Sequence, residues 1–360
     1  MKINILTQPL FCNYGGILQN YALQEVLRRM GHEVLTLNVP PTMPTRESSI
    51  KEMAKTLRNF FYKVKGNYYY PFLNPYTFAL KEHELSFPQR EFVKKYIDKV
   101  DVKDPFTPQT AIEYPADAWI VGSDQVWRPW CSHHIENCFF DFLDEKAIKI
   151  AYAASFGTDK WEISEELTSK FRNLAKSFNG ISVREASGVK LCNEFLNVNA
   201  THVLDPTMLL NAKDYLSLTQ PDDAPKDKYI AAYILDNNKE KMSNAKRLAK
   251  EKGLPLKQIG QMHRDRFDSI ESWLATIAHS EYVITDSFHG TVFSLIFNRP
   301  VKILFNELRG NSRLKSLLGQ LRISSHNDGF HRISEAYEFH LNNYKDSSIM
   351  FLHNSLYSMT

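Results

Sequence analysis

The chain has few cysteines, no long apolar run and no block of like charge, and each lack narrows the field. Cys12, Cys131, Cys138 and Cys192 are four thiols scattered over 360 residues. That is no disulfide framework, and it suits a reducing compartment. No stretch approaches the ~18 consecutive apolar residues of a membrane helix; the best candidate is interrupted by Asp286, Ser287 and His289. The net charge is only +3 and like charges are dispersed, so nothing in the balance points to a nucleic-acid partner. The start MKINILTQPLF lacks the h-region and cleavage site of a secretory signal. The expected location is cytoplasmic, with peripheral contact at the inner face of a membrane left open. Internal repeats and low-complexity tracts are also missing.

What is present is a globular composition, 43% apolar and 24% charged, long enough for two domains with a large core. The first 40 residues read as strand, helix, strand: INIL, the turn NYGG, an amphipathic segment from Ile17 to Met30, then EVLTLN. Further apolar runs follow at AWIVGS, KIAYAASFG, GISVRE and THVLDP, separated by helical segments. This alternation predicts a parallel sheet. The polar, proline-bearing TQPDDAPKDK reads as a connection, after which YIAAYIL, LKQIG, YVITD and VKILF form a second alternating set. The expected organisation is an N-terminal domain over 1–213 with a helical insertion at about 45–110, a C-terminal domain over 214–345, and a C-terminal helix over 346–360 packing back on the first domain.

In open α/β sheets, ligands lie outside the carboxyl ends of the strands. Polar clusters fall at those ends: Asn13 to Gly16, Gly122 to Asp124, Ser155 to Gly157, Arg184, Asp205, and Asp286 to Gly290. In VGSDQVW, Ser123 and Asp124 suit a hydroxyl-rich substrate and Trp127 a sugar face; the same residue types also cap helices. NYGG opens a helix after a strand, so its amides suit an anion, although a bare pair of glycines is better explained by a tight turn. Arg184 closes GISVR where a guanidinium can grip a carboxylate or phosphate, with Glu185 as an ordinary ion-pair partner. His289 follows Asp286 by three residues at the start of an apolar helix, placed either for proton transfer or as a cap. CSHHIENC matches no common zinc spacing, and no metal is expected. The basic, aromatic segment from Lys51 to Tyr70 reads as a solvated helical face.

Taken in order, NYGGILQNYALQ, WIVGSDQVW, YAASFG, SVREASGVKL, VLDPTMLL and TDSFHGTVFSLIFNRPV resemble the polysaccharide pyruvyl transferase family over nearly the whole chain. The resemblance implies two Rossmann-like domains facing across a cleft, the GT-B arrangement. It implies transfer of a pyruvyl group from phosphoenolpyruvate to a sugar as a ketal. The acceptor would belong to a surface polysaccharide or its lipid-linked precursor, and no cofactor is needed beyond the donor. The family's HG histidine maps onto His289, with Asp286 beside it as the catalytic pair. Arg184, Ser287, Phe288 and Gly290 map onto the donor side, in the second domain apart from Arg184. Asn13, Tyr14, Gly15, Gly16, Gln19, Ser123, Asp124 and Trp127 map onto the acceptor side. Where relatives read RLHG this chain has SFHG, so an arginine is replaced by Ser287. Arg309 or Arg313 is the expected substitute. A nucleotide-sugar glycosyltransferase and a non-catalytic glycan-assembly protein are the alternatives on the same architecture.

Overall fold

The structure, a computed structural model, describes residues 1–41, 83–129, 131–132, 134–236, 239–260, 267–305 and 312–357. Two parallel sheets organise it. The first contains β1 (Lys2–Leu6), β2 (Glu33–Asn38), β3 (Lys99–Asp101), β4 (Ala118–Val121), β5 (Ile148–Ala154), β6 (Gly180–Val183) and β7 (Thr201–His202), in the order β3-β2-β1-β4-β5-β6-β7. The second contains β8 (Ile230–Tyr233), β9 (Leu256–Gln258), β10 (Tyr282–Thr285) and β11 (Val301–Ile303), in the order β11-β10-β8-β9. Every pairing in both sheets is parallel. The chain is therefore two Rossmann-like α/β units facing one another, the GT-B class of fold.

Parallel strands are covered by helices on both faces, so they read as continuous apolar runs. β4 (AWIV) and β8 (IAAY) are buried at every position. Each sheet reverses its strand order once, between β1 and β4 and between β8 and β10. Those switch points are where loops splay apart and leave room for a ligand.

The two units share one apolar core. Tyr14, at the start of the helix Tyr14–Arg29, stacks on Trp273 of the second unit at 5.5 Å between ring centres. It also donates from its hydroxyl to the Asp268 carbonyl at 2.6 Å. Tyr215 meets Phe293 edge-on at 4.9 Å. Burial of aromatic rings on this scale is the main attraction between the units.

Two features differ from the expected organisation. The stretch taken as a helical insertion includes β3, which pairs in register with β2 as an edge strand of the first sheet. Three half-exposed residues are too few to give a strand signal. The rest of that stretch up to residue 82 lies outside the described residues. The last helix begins at Glu335 rather than near residue 346 and runs to Tyr357. It lies on the first unit: Ser348 Oγ accepts from the Leu204 amide at 3.0 Å, and Leu352 and Leu356 are buried in the core. Among the described residues no helix is long and apolar enough to cross a membrane.

Leu352 is fully buried, and its truncation tests whether the last helix is part of the core. Leu352→Ala is expected to cost about 2–5 kcal/mol in urea denaturation. A loss below about 0.5 kcal/mol, the range of surface substitutions, would show the helix to be dispensable.

Candidate functional site

The loops after β1, β4, β6, β7 and β10 converge at the junction of the two units, and a buried carboxylate lies at the centre. Asp205, two per cent exposed, follows β7. Its Oδ1 accepts from the Thr207 amide at 3.0 Å and the Thr207 hydroxyl at 2.6 Å. Its Oδ2 accepts from Arg184 Nη1 at 2.9 Å and from Gln19 Nε2 at 2.5 Å. His289 brings Nε2 to 3.7 Å from that same Oδ2, beyond a direct hydrogen bond. Burial alone would raise the pKa of Asp205. His289, Arg184 and Thr207 outweigh it and hold the carboxyl well below the ordinary range, so the group is a permanent anion.

The imidazole owes its place to two local devices. Ser287 caps the helix Phe288–Ile296, its hydroxyl accepting from the Gly290 amide at 3.3 Å. His289 thus sits in the first turn of a helix that is buried from Phe288 to Leu295. Opposite lies Gly15, where an added Cβ would come within 1.9 Å of His289 Nδ1. Only a residue without a side chain lets the first helix of one unit approach the ring of the other so closely.

Arg184 follows β6 directly and is almost wholly buried. Burial would lower its pKa, yet Asp205, Asp124 and Glu185 together raise it. Nη2 is 3.6 Å from Asp124 Oδ1, and neither Nε nor Nη2 makes a hydrogen bond among the described residues. Its guanidinium lies 4.7 Å from the centre of the Phe288 ring, and that of Arg313 lies 5.9 Å from the same ring. Burial, then repulsion from Arg184, pull the pKa of Arg313 down to about 10. Two guanidinium groups thus approach one ring.

The residues anticipated for this site fall into three groups. His289, Arg184, Phe288, Arg313, Gln19, Asp124, Gly15, Gly16 and Asn13 come together. Asn13, exposed at the mouth, donates to Asp124 Oδ2 at 3.3 Å, and Gly16 abuts that same carboxylate. Ser287 and Gly290 build the helix end that carries the histidine. The rest need correction. Asp286 is not the partner of His289: its Oδ1 accepts from the Leu235 amide at 2.7 Å, and its Oδ2 from Asp236 N at 3.2 Å and Lys241 Nζ at 2.9 Å. It ties the end of β8 to β10. Trp127 is fully buried, stacked on Phe139 at 5.0 Å with its Nε1 donating to the Cys138 carbonyl, and has no face for a sugar. Tyr14 is spent between the units. Ser123 is one per cent exposed, closed off from an acceptor. Glu185 does not pair with Arg184; its Oε1 accepts from Ser155 Oγ at 3.0 Å and from the Phe156 amide at 2.9 Å. Arg309 lies outside the described residues.

Asp205 is the residue that sequence reasoning leaves without a role. Its only signal was position, at a strand end before Pro206 with Thr207 two residues on, the spacing by which an aspartate binds its own chain.

The junction of the two units thus gathers two arginines, a histidine and buried carboxylates beside the ends of parallel strands. The sequence model of the polysaccharide pyruvyl transferase family matches residues 13–302, and the chain belongs to that family. No curated protein matches it. Among solved structures it is similar to S. aureus MnaA in a co-structure with UDP, at 12% identity and a TM-score of 0.49 over 84% of this chain and 79% of that one. A UDP-GlcNAc 2-epimerase from Neisseria meningitidis bound to UDP-GlcNAc aligns over 100% of both chains at 8% identity and a TM-score of 0.49. An alpha-glucosyltransferase in complex with UDP and DNA aligns over 99% of this chain and 95% of that one at 10% identity and a TM-score of 0.46.

Removing the central charge is expected to be costly. Asp205→Asn takes from buried Arg184 its nearest counter-ion, a loss of about 3–5 kcal/mol at neutral pH. The pKa of Asp205 is depressed in the folded state, so its stabilisation is present above the unfolded value of about 3.9 and fades as pH falls below it. Denaturation of both proteins across that range should show the gap between them widest above about pH 5 and narrowing towards acid. A gap independent of pH would mean that Asp205 does not act as an anion. Independently, Gly15→Ala should displace the imidazole and cut turnover by about 10²-fold in a folded protein, measured as phosphate release under the assay described below.

Proposed function

We propose that this protein moves a pyruvyl group from phosphoenolpyruvate to a sugar residue of a surface polysaccharide or its lipid-linked precursor, forming a pyruvate ketal. The observation that carries this reading is the meeting of Arg184 and His289, from different units, on one oxygen of Asp205. Membership of the family supports the reaction class.

The chemistry needs what the junction offers. A proton added to the donor's methylene carbon makes the adjacent carbon electrophilic. One sugar hydroxyl attacks that carbon, the bond to phosphate breaks, and the second hydroxyl attacks the same carbon to close the ketal. Of the two hydroxyl protons released, one replaces the proton given to carbon and the other leaves with phosphate. A group that gives and takes protons near neutral pH is required, and an imidazole does so. In this reading His289 has that role and Asp205, ionised throughout, stabilises the imidazolium. Asp205 also forces Arg184 into place.

The donor carries a carboxylate and a phosphate, both of which suit guanidinium groups. Arg184 offers two N–H-bearing nitrogens that bond nothing else described, and Arg313 stands beside it. This fits the replacement of an arginine by Ser287, since charge lost at the helix end is regained from the helix Ser312–Gln320. Asn13, Gly16 and Asp124 form the acceptor edge on the first unit, with the Asp124 carboxylate able to accept from sugar hydroxyls.

The test is phosphate release from phosphoenolpyruvate in the presence of candidate acceptor sugars. His289→Ala should lower the rate about 10²–10⁴-fold, and Arg313→Ala should raise the KM for the donor about tenfold or more. Wild-type rates in His289→Ala would remove the acid–base role. Unchanged donor affinity in both Arg313→Ala and Arg309→Ala would remove the cation assignment.

A further inference from the structure

Arg184 and Arg313 repel one another, and Asp124 and Glu185, which attract both, offset part of that repulsion. The pKa of Arg313 is lowered first by burial and then by Arg184. They belong to different units, so the cheapest relief would be for the helix Ser312–Gln320 to withdraw. A neutral contact opposes that. Ser316 lies three residues beyond Arg313, on the same face of that helix. Its Oγ accepts the Ala186 N–H of the first unit at 3.0 Å. The same oxygen is 3.2 Å from His202 Nε2, which is also 3.1 Å from the Arg184 carbonyl oxygen. A carbonyl only accepts, so Nε2 carries the hydrogen and shares it between the carbonyl and Ser316. One hydroxyl of the second unit therefore receives two N–H groups from the first. Both belong to residues that hold the segment Arg184 to Ala186.

We propose that Ser316 is a positioning residue for the donor subsite: it clamps the helix bearing Arg313 to the segment bearing Arg184 and so sets the separation of the two guanidinium groups. The proposal rests on the reading above that a doubly anionic donor binds between them. The clamp is uncharged and so adds no further charge beside the two cations. It also spans the units, so the donor subsite is complete only when they are docked. Ser316 is not expected to touch substrate, and its loss should weaken donor binding while leaving the chemical step intact.

The experiment compares wild type, Ser316→Ala and Ser316→Thr as full-length proteins. Phosphate release gives KM and kcat for phosphoenolpyruvate, and amide hydrogen exchange without ligand reports on residues 184–191 and 312–320. In Ser316→Ala the KM should rise about tenfold, the loss expected from one hydrogen bond of ordinary strength, with kcat unchanged. Exchange should quicken in both segments, and Ser316→Thr, which keeps the hydroxyl, should restore both readouts. A wild-type KM in Ser316→Ala overturns the proposal even where melting temperature falls, because a merely structural serine would behave that way. If wild type releases no phosphate from phosphoenolpyruvate, the donor reading fails. The clamp is then judged by exchange alone: faster exchange confined to the two segments supports it, and unchanged exchange overturns it.

Discussion

A carboxylate buried between two α/β units is the constraint on which this site depends. Taking Asp205 out of water is expensive unless cations and hydrogen-bond donors surround it. Arg184, Gln19 and Thr207 meet that demand from the first unit, and His289 approaches from the second. One anion thereby orients a guanidinium and an imidazole that are distant in sequence. Its carboxyl is held well below the ordinary range by these neighbours, so at neutral pH it is a fixed charge.

The two aspartates at strand ends divide the work in a way that residue type does not foretell. Asp286 is adjacent in sequence to the helix that carries His289, yet it serves the backbone of the neighbouring strand end and Lys241. Asp205 is far away in sequence and lies beside the ring. Sequence proximity favoured the first, but a residue preceding a capped helix turns towards the amides of its own sheet. The partner arrives from the facing unit. The same logic disposes of the aromatic residues: Trp127 and Tyr14 have the composition of a sugar platform, but large rings at the root of a loop are claimed first by the core.

Much of the fold was legible in the sequence. Ten of the strands fall within the runs that the sequence marks; the central ones do so because parallel strands, buried on both faces, must be apolar at successive positions, whereas β7 and β9 are short and less buried. The remaining strand, β3, is short and half-exposed at a sheet edge and carries no such signal. Within the site, Arg184 and His289 stood out because they are polar groups at the ends of apolar segments. Glu185 and Asp205 stood at comparable positions, and nothing local distinguished a carboxylate that binds a loop from one that binds an arginine.

By itself the sequence determined the class of architecture, through the period and length of its apolar runs, and the membership of a family, through motifs kept in order along the chain. It also marked the strand ends where polar groups would collect, since those are the places where a buried chain meets water. Only tertiary structure decided which of those groups face one another. Neighbouring strand ends of the first sheet set Arg184 against Asp205, docking the two sheets sets glycine against imidazole and serine against histidine, and none of these pairs is local in sequence. Charge burial and close packing act through space, and the chain reveals them only once both units are folded and in contact.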